Sequence, residues 1–456
     1  MGKVYVSDVL EKPGGFKYSL RILLFDGLAM LFDGFDFMIV SFTMTQIMEE
    51  MELGLMATGS LASFSLIGML IGGFVAGWLA DRFGRRHVLN VSIMVYAAFT
   101  VPIFFAHSFD AFAICRILSG MGVGAVIPLS VTIASEYAPT KHRGLFVTVS
   151  KMFMILGWVV AGLVAMWVVP LLGWRFCYLI GGFPFVYGIL MYFLMPESVQ
   201  WLLRKGRVDK AVAIVNQINR TLDEPRPEPY VADELAVKPL KPKGQVRTLL
   251  SKKYLRVTLG IWIVAFATCA LSYGLTNWMP TVLTMHGYSI AEGYGLTTLM
   301  NALGALGALF AGFMADKIGR LNSTYLAVGL AILSTLFMVF FGFGQGLMIP
   351  ACILMGFTIN YAYITPQPIT VEAYPTEIRA TGQACVTTVA RIGGLIVPIA
   401  IGGALQSGST FEIVALFFIA PLILAAVFTK VLIRNETKGL VIEAIDEGAM
   451  AAGTNK

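Results

Sequence analysis

Three carboxylates share one face of the first long apolar segment: Asp26, Asp33 and Asp36. Steps of seven and three residues at about 100° each keep them within roughly 80° of one another on a helix. Two guanidinium groups sit at comparable depth in other apolar segments. Arg116 lies about two turns from the outer end of the fourth, and Arg391 lies twelve residues beyond Arg379, roughly 18 Å at 1.5 Å per residue. An ionised group at the centre of a hydrocarbon layer costs about 2.5–3.5 kcal/mol on insertion scales. Such groups persist when they are paired, when water reaches them, or when a task needs them. The chemistry on offer is reversible protonation: burial and nearby charge set the proton affinity of a carboxyl group, so changing either loads or unloads it. Arg391 adds a planar fork that fits a carboxylate bidentately. A purely structural ion pair is the competing reading.

Helices that cross a membrane must hold these groups. Hydrophobic residues make up 57 % of the 456 positions and charged residues 13 %, against about 45–50 % and about 25 % in soluble domains. The mean hydropathy is +0.77. Twelve stretches are long and apolar enough to span a hydrocarbon core, which takes about 20 residues each. They fall near 20–47, 57–80, 87–107, 110–135, 144–169, 174–195, 254–285, 290–315, 322–343, 346–373, 379–407 and 410–433. Placing the N-terminus in the cytoplasm puts Lys3, Lys12, Lys17, Arg82, Lys141, Lys317, Lys430, Arg434, Lys438 and the basic stretch 197–256 inside. The outer loop 48–56 carries Glu49, Glu50 and Glu52 and no base. This is the positive-inside asymmetry, so the net charge of +6 reads as topology and not as nucleic-acid binding. Residues 1–19 are polar, and the first helix is too long for a cleavable leader. The outer loops offer no Asn for glycosylation, which favours a bacterial inner membrane. The five cysteines fall in or beside spans, lack metal-ligand spacing and read as packing residues.

The chain is also a duplication. Gly77-Trp-Leu-Ala-Asp-Arg-Phe-Gly-Arg-Arg returns as Gly312-Phe-Met-Ala-Asp-Lys-Ile-Gly-Arg-Leu, with Asp81 and Asp316 235 positions apart. Glu136-Tyr-Ala-Pro followed by Arg143 returns as Glu372-Ala-Tyr-Pro followed by Arg379, 236 positions on. Two motifs with one offset define two repeats. The expected domains are a first six-helix bundle at 1–195, a linker at 196–253 and a second bundle with its tail at 254–456. Within the linker, Trp201, Leu202, Val208, Val212, Val215 and Ile218 recur at helical spacing and predict an amphipathic helix on the cytoplasmic face. The Pro-rich run 224–229 predicts an extended spacer. The repeat also sorts the charges. Positions 235 or 236 beyond Asp33, Asp36 and Arg116 hold neither a carboxylate nor a base, and Arg391 counted back falls on Ile155 or Leu156. These groups are not copies of a shared scaffold, which favours a specific task for them.

The Gly77–Arg86 loop, its repeat, the Arg116…Gly120…Gly122…Gly124 run and Pro196-Glu197-Ser198 together resemble the signatures of the major facilitator superfamily. The resemblance covers essentially the whole chain. It implies an all-α membrane protein of 12 helices in two pseudo-symmetric six-helix bundles, with alternating access to a site near midplane. Gly34-Phe35-Asp36 with Arg116 resembles the first-helix Asp and fourth-helix Arg of proton-driven sugar porters. Asp33-Gly34-Phe35-Asp36 resembles the Asp-Gly-aromatic-Asp motif of the aromatic acid:proton symporters. By the same resemblance, Asp81, Arg85, Arg86, Glu136, Arg143, Asp316, Arg320, Glu372 and Arg379 form gating ion-pair networks, with Glu136 facing Arg143 and Glu372 facing Arg379. Anchoring to lipid headgroups is the simpler role for those charges.

The resulting expectation is a symporter that moves a small organic, aromatic carboxylate with protons. Asp33, Asp36 and Arg116 serve proton coupling. Arg391 contacts the anion, with Phe35, Trp158, Tyr273, Asn277, Tyr361 and Gln367 as further substrate contacts. No cofactor beyond a proton gradient is expected. The partners are the substrate, the proton and the bilayer, with a monomer as the working unit. A sugar, nicotinate or drug porter is the alternative, although the seventh span lacks the Gln-Gln pair expected of sugar porters. A membrane sensor would need signalling domains that the short termini do not supply. An enzyme would need a nucleotide loop, a metal cluster or a nucleophile with its base, and none is spaced for that.

Overall fold

The computed structural model describes residues 4–235, 246–343, 346–374 and 376–433. The expectations for Lys3, Pro375, Arg434 and Lys438, and for the side chains of Lys141 and Arg143, lie outside the described residues. The spanning helices are α1 Gly15–Glu50, α2 Leu55–Phe83, α3 Arg85–Phe105 and α4 Phe109–Glu136. They continue as α5 Arg143–Leu172, α6 Arg175–Leu194, α7 Leu255–Met285, α8 Ile290–Ile318, α9 Arg320–Gly342 and α10 Met348–Thr370. The last two are α11 Thr376–Gln406 and α12 Phe411–Ile433. Among the described residues, eleven helical segments other than α1, which is 36 residues long, are long and apolar enough to cross a membrane. Among the described residues no strand forms, and one isolated bridge joins Val4 to Leu235.

Apolar side chains cover much of the outer surface, with Phe74 88 % exposed and Trp167 68 %. In water that surface would aggregate; against acyl chains it is solvated. Lipid gives helices no hydrophobic drive to associate, so close backbone approach through small residues takes its place. A Cβ at Gly120 of α4 would overlap the carbonyl oxygen of Ser65 on α2, and one at Gly356 of α10 would overlap that of Met300 on α8. Gly120 and Gly356 are equivalent in the two repeats, so the duplication preserves this contact. Gly157 on α5 likewise meets Leu31 on α1, and its equivalent Gly393 on α11 meets Phe266 on α7.

Packing divides the chain into two compact units: Met1–Ile39 with Phe64–Leu240, and Val40–Ser63 with Lys241–Lys456. The end of α1 and the start of α2 therefore group with the second repeat, whereas a split by sequence places them in the first. The contacts responsible are polar. Ser41 Oγ donates to Asn277 Oδ1 at 2.5 Å, and Thr45 Oγ1 to Thr281 Oγ1 at 3.0 Å. Both pairs are 236 residues apart, so equivalent residues of the two repeats meet each other. Tyr294 on α8 donates to Gln46, and Ser63 donates to the Leu395 carbonyl on α11.

The linker differs from expectation in two ways. Its amphipathic stretch is two helices, Val199–Arg204 and Val208–Arg220, broken at Gly206, whose φ of +70° suits a residue without a Cβ. The Pro-rich run is not an extended spacer. Asn219 bonds both the N–H and the carbonyl of Arg226, whose guanidinium forks onto Glu234 at 3.0 Å for each nitrogen. The N-terminal segment closes over this fold, with Val4 N–H donating to Glu234 O and Lys12 Nζ to the Tyr230 hydroxyl.

Gly120→Leu should abolish the monodisperse folded protein or lower its stability by several kcal/mol, beyond the about 1–3 kcal/mol of ordinary overpacking. Gly77→Ala, at a glycine with open space around it, should leave the unfolding midpoint in detergent unchanged or raised. Equal behaviour of the two variants would contradict the close-packing account.

Candidate functional site

Asp36 and Arg116 form the centre of the first unit. Arg116 Nη1 lies 3.1 Å from Asp36 Oδ2, while Nη2 donates to the Asp36 backbone carbonyl at 3.1 Å. Thr100 at the end of α3 donates to Asp36 Oδ1 at 2.6 Å. Three helices thus converge on one carboxylate. Both partners are sealed from solvent, with side-chain exposures of 1 % for Asp36 and 0 % for Arg116. Burying such a pair costs several kcal/mol per ion in desolvation, and mutual attraction repays it only with good geometry and further hydrogen bonds. Arg116 Nε has no protein partner among the described residues, so the pair is not saturated. The Thr100 hydroxyl also lies 2.8 Å from the Tyr96 carbonyl. It therefore has a second acceptor when Asp36 takes a proton.

Asp33 is buried one turn earlier on α1, and its charge, like that of Asp36, reaches the buried Tyr96 hydroxyl. Asp26, nearer the start of α1, is also wholly enclosed. Ser150 on α5 donates to its Oδ2 at 2.6 Å. Sequence reasoning missed Thr100, Tyr96 and Ser150. Thr100 and Tyr96 are one helical turn apart in α3, a spacing visible in the sequence, but nothing there points them at α1.

In the second unit, Arg391 on α11 is half-buried, and its charge acts on Tyr273 of α7, Tyr363 of α10 and Cys269. The two tyrosine rings lie 5.9 Å apart, and their hydroxyls are within hydrogen-bonding reach. Gly394, one turn beyond Arg391, leaves room for the Tyr273 ring. Arg391 and Tyr273 are therefore brought together, and Tyr363 joins them. Asn277 accepts from Ser41, and Tyr361 is fully buried against Ser323 and Phe310. Gln367 is half-buried beyond the last turn that holds Tyr363. In the first unit, Phe35 lies in the α1–α5 contact at Gly157, and Trp158 packs 6.3 Å from Phe37.

The duplicated charges build the same device twice. Arg85 at the start of α3 pairs with Glu136 at the end of α4, and Arg320 at the start of α9 pairs with Glu372 after α10 at 2.8 Å. Arg320 also bonds Asp316 at 2.7 Å, and Asp81 acts on Arg85 by charge. Arg85 and Arg320, which join Glu136 and Glu372, are one repeat offset apart. Arg379 Nε donates to the Tyr374 carbonyl. Arg86 donates to the Met195 carbonyl and covers the Tyr192 ring at 4.9 Å. Glu197 and Ser198 complete the first network. Glu197 accepts the Arg85 and Arg86 backbone N–H groups at 2.9 and 3.0 Å, and Ser198 donates to Glu136.

Buried charges on spanning helices, in a chain built from two copies of one helical plan, are the marks of a membrane transport protein. The sequence profile of the Major Facilitator Superfamily matches residues 27–398, and the chain belongs to that superfamily. It is an integral membrane protein that transports small molecules, and not an enzyme. It is 33 % identical over 447 residues to the niacin transporter NiaP of Acinetobacter baylyi, covering 96 % of this chain and 99 % of that one. It is 31 % identical over 429 residues to the 4-hydroxybenzoate transporter PcaK of the same species, covering 92 % of each. Its fold matches the inward-open xylose transporter XylE from E. coli with a TM-score of 0.73 at 20 % identity, over 94 % of this chain and 99 % of that one.

Arg116→Ala should destabilise the protein by about 3–5 kcal/mol, because it leaves Asp36 buried without its counter-charge. Adding Asp36→Asn should restore much of the loss in a double-mutant cycle read by unfolding in detergent. Additive losses would mean that the two residues do not act as a pair.

Proposed function

We propose that this chain is a proton-coupled symporter of a small aromatic carboxylate, working by alternating access in a bacterial inner membrane with both termini cytoplasmic. The observation that carries the coupling is the sealed Asp36–Arg116 pair, which has no counterpart in the second repeat. A membrane protein keeps so costly a pair when its charge state is used. Asp36 binds and releases the proton, Asp33 shares or senses it, and Arg116 makes the ionised state tolerable. Thr100 follows the change by turning its hydroxyl between Asp36 and the Tyr96 carbonyl. The paired networks of Asp81, Arg85, Arg86 and Glu136 and of Asp316, Arg320, Glu372 and Arg379 act as gates, joined by Arg143.

The substrate class rests on Arg391 beside two tyrosines. A guanidinium fork takes the carboxylate, and aromatic faces take a ring. Niacin and 4-hydroxybenzoate, named for the relatives, each combine a ring with a carboxylate. Phe35, Trp158, Asn277, Tyr361 and Gln367 remain candidate contacts, and the working unit is a monomer.

In proteoliposomes, Asp36→Asn should abolish accumulation against a gradient while sparing exchange of labelled for unlabelled substrate. Undiminished uphill uptake would refute the coupling role. Arg391→Ala should weaken binding of 4-hydroxybenzoate or nicotinate about tenfold or more, the scale of a lost charge-assisted hydrogen bond. Equal affinity in that variant would remove Arg391 from the site.

A further inference from the structure

A cavity of about 340 Å³ opens at the basic end of the first unit, between the start of α1, the end of α6 and the linker helix Val208–Arg220. Its wall includes Tyr18, Arg21, Arg86, Glu197, Lys210 and Gln217. Lys210, Ala213, Ile214 and Gln217 recur at helical spacing, so one stripe of the linker helix faces it. Arg21 and Lys210 are exposed there. Arg86 is half-buried, and its Nε has no protein partner among the described residues. Among the described residues Glu197 is the only carboxylate in the wall; its Oε1 accepts the backbone N–H groups of Arg85, Arg86 and Ser198 at 2.9, 3.0 and 2.8 Å, and its Oε2 accepts that of His87 at 3.4 Å. That charge is committed to the start of α3. Three cations against one committed carboxylate leave the cavity suited to an anion.

The surroundings identify the kind of anion. Tyr187 on α6 donates to the Phe25 carbonyl on α1, so the two helices lie side by side below the cavity. Leu24 and Leu28 on α1 are exposed, as are Val186, Leu190 and Phe193 on α6, the last at 77 %. A soluble anion gains nothing from an apolar groove beneath its site. An amphiphile with a phosphate head needs both. We propose that this cavity binds an anionic glycerophospholipid, with its phosphodiester on Arg21, Arg86 and Lys210 and an acyl chain along α1 and α6. Guanidinium and ammonium groups are the usual phosphate ligands, and basic pockets at helix ends hold lipid headgroups in this way. Because the linker helix supplies Lys210 while α1 supplies Arg21 and α3 supplies Arg86, a bound lipid would tie the linker to the bundle. None of this depends on what the protein carries.

The test is native mass spectrometry and thermal unfolding of the full chain in detergent, titrated with phosphatidylglycerol or phosphatidylcholine. The parent should retain phosphatidylglycerol in preference and gain stability from it. Arg21→Gln combined with Lys210→Gln should weaken that retention about tenfold or more without changing the lipid-free unfolding midpoint. Lys210→Glu alone, on the exposed face of the linker helix, should weaken it in the same direction should the double variant fold poorly. Equal retention by parent and variants, or no preference over phosphatidylcholine, would overturn the proposal. Stabilisation by millimolar inorganic phosphate equal to that by the lipid would make this a free-anion site and overturn the lipid assignment.

Discussion

The first unit is organised around one carboxylate that three helices cannot leave alone. Asp36 on α1 receives Arg116 from α4 and Thr100 from α3, all without access to solvent. Removing any one group leaves an unsatisfied buried charge or dipole, and in a membrane no bulk water is at hand to repair it. The same cost makes the site responsive. A proton on Asp36 cancels the attraction to Arg116, releases Thr100 to its second acceptor and changes what holds α1 against α3 and α4. The chemistry and the packing are one interaction seen twice.

The two repeats divide the labour. Features held in common are mechanical: the Gly120–Ser65 and Gly356–Met300 approaches, the Arg85–Glu136 and Arg320–Glu372 pairs, and the Gly84 and Gly319 turns with φ of +109° and +98°. Features in one repeat alone are chemical. Asp33, Asp36 and Arg116 lie in the first, and Arg391 with its tyrosines lies in the second.

Much of this was legible in the sequence because membrane helices obey a simple rule. Each must satisfy its backbone internally and present about 20 apolar residues. The twelve spans therefore came out within a few residues of the observed helices, and the repeat offset located the paired networks. The depth of Asp36 and Arg116 followed from counting rise per residue. Partner choice did not follow. Nothing in the spacing shows that Glu136 meets Arg85, a contact made because the start of α3 returns to the end of α4. The helical face shared by Asp26, Asp33 and Asp36 does not reveal that Ser150 on α5 bonds Asp26. The Pro-rich run read as a spacer because composition says nothing of the Asn219 and Glu234 contacts that fold it back.

The central claim is that movement of the substrate carries protons through Asp36. The direct measurement is the pH change outside proteoliposomes when an aromatic acid is added without any imposed gradient. The account predicts an alkalinisation with the parent protein that exceeds passive entry of the acid in protein-free vesicles and vanishes with Asp36→Asn. Substrate entry with no protein-dependent pH change, or the same change in the Asp36→Asn variant, would contradict it.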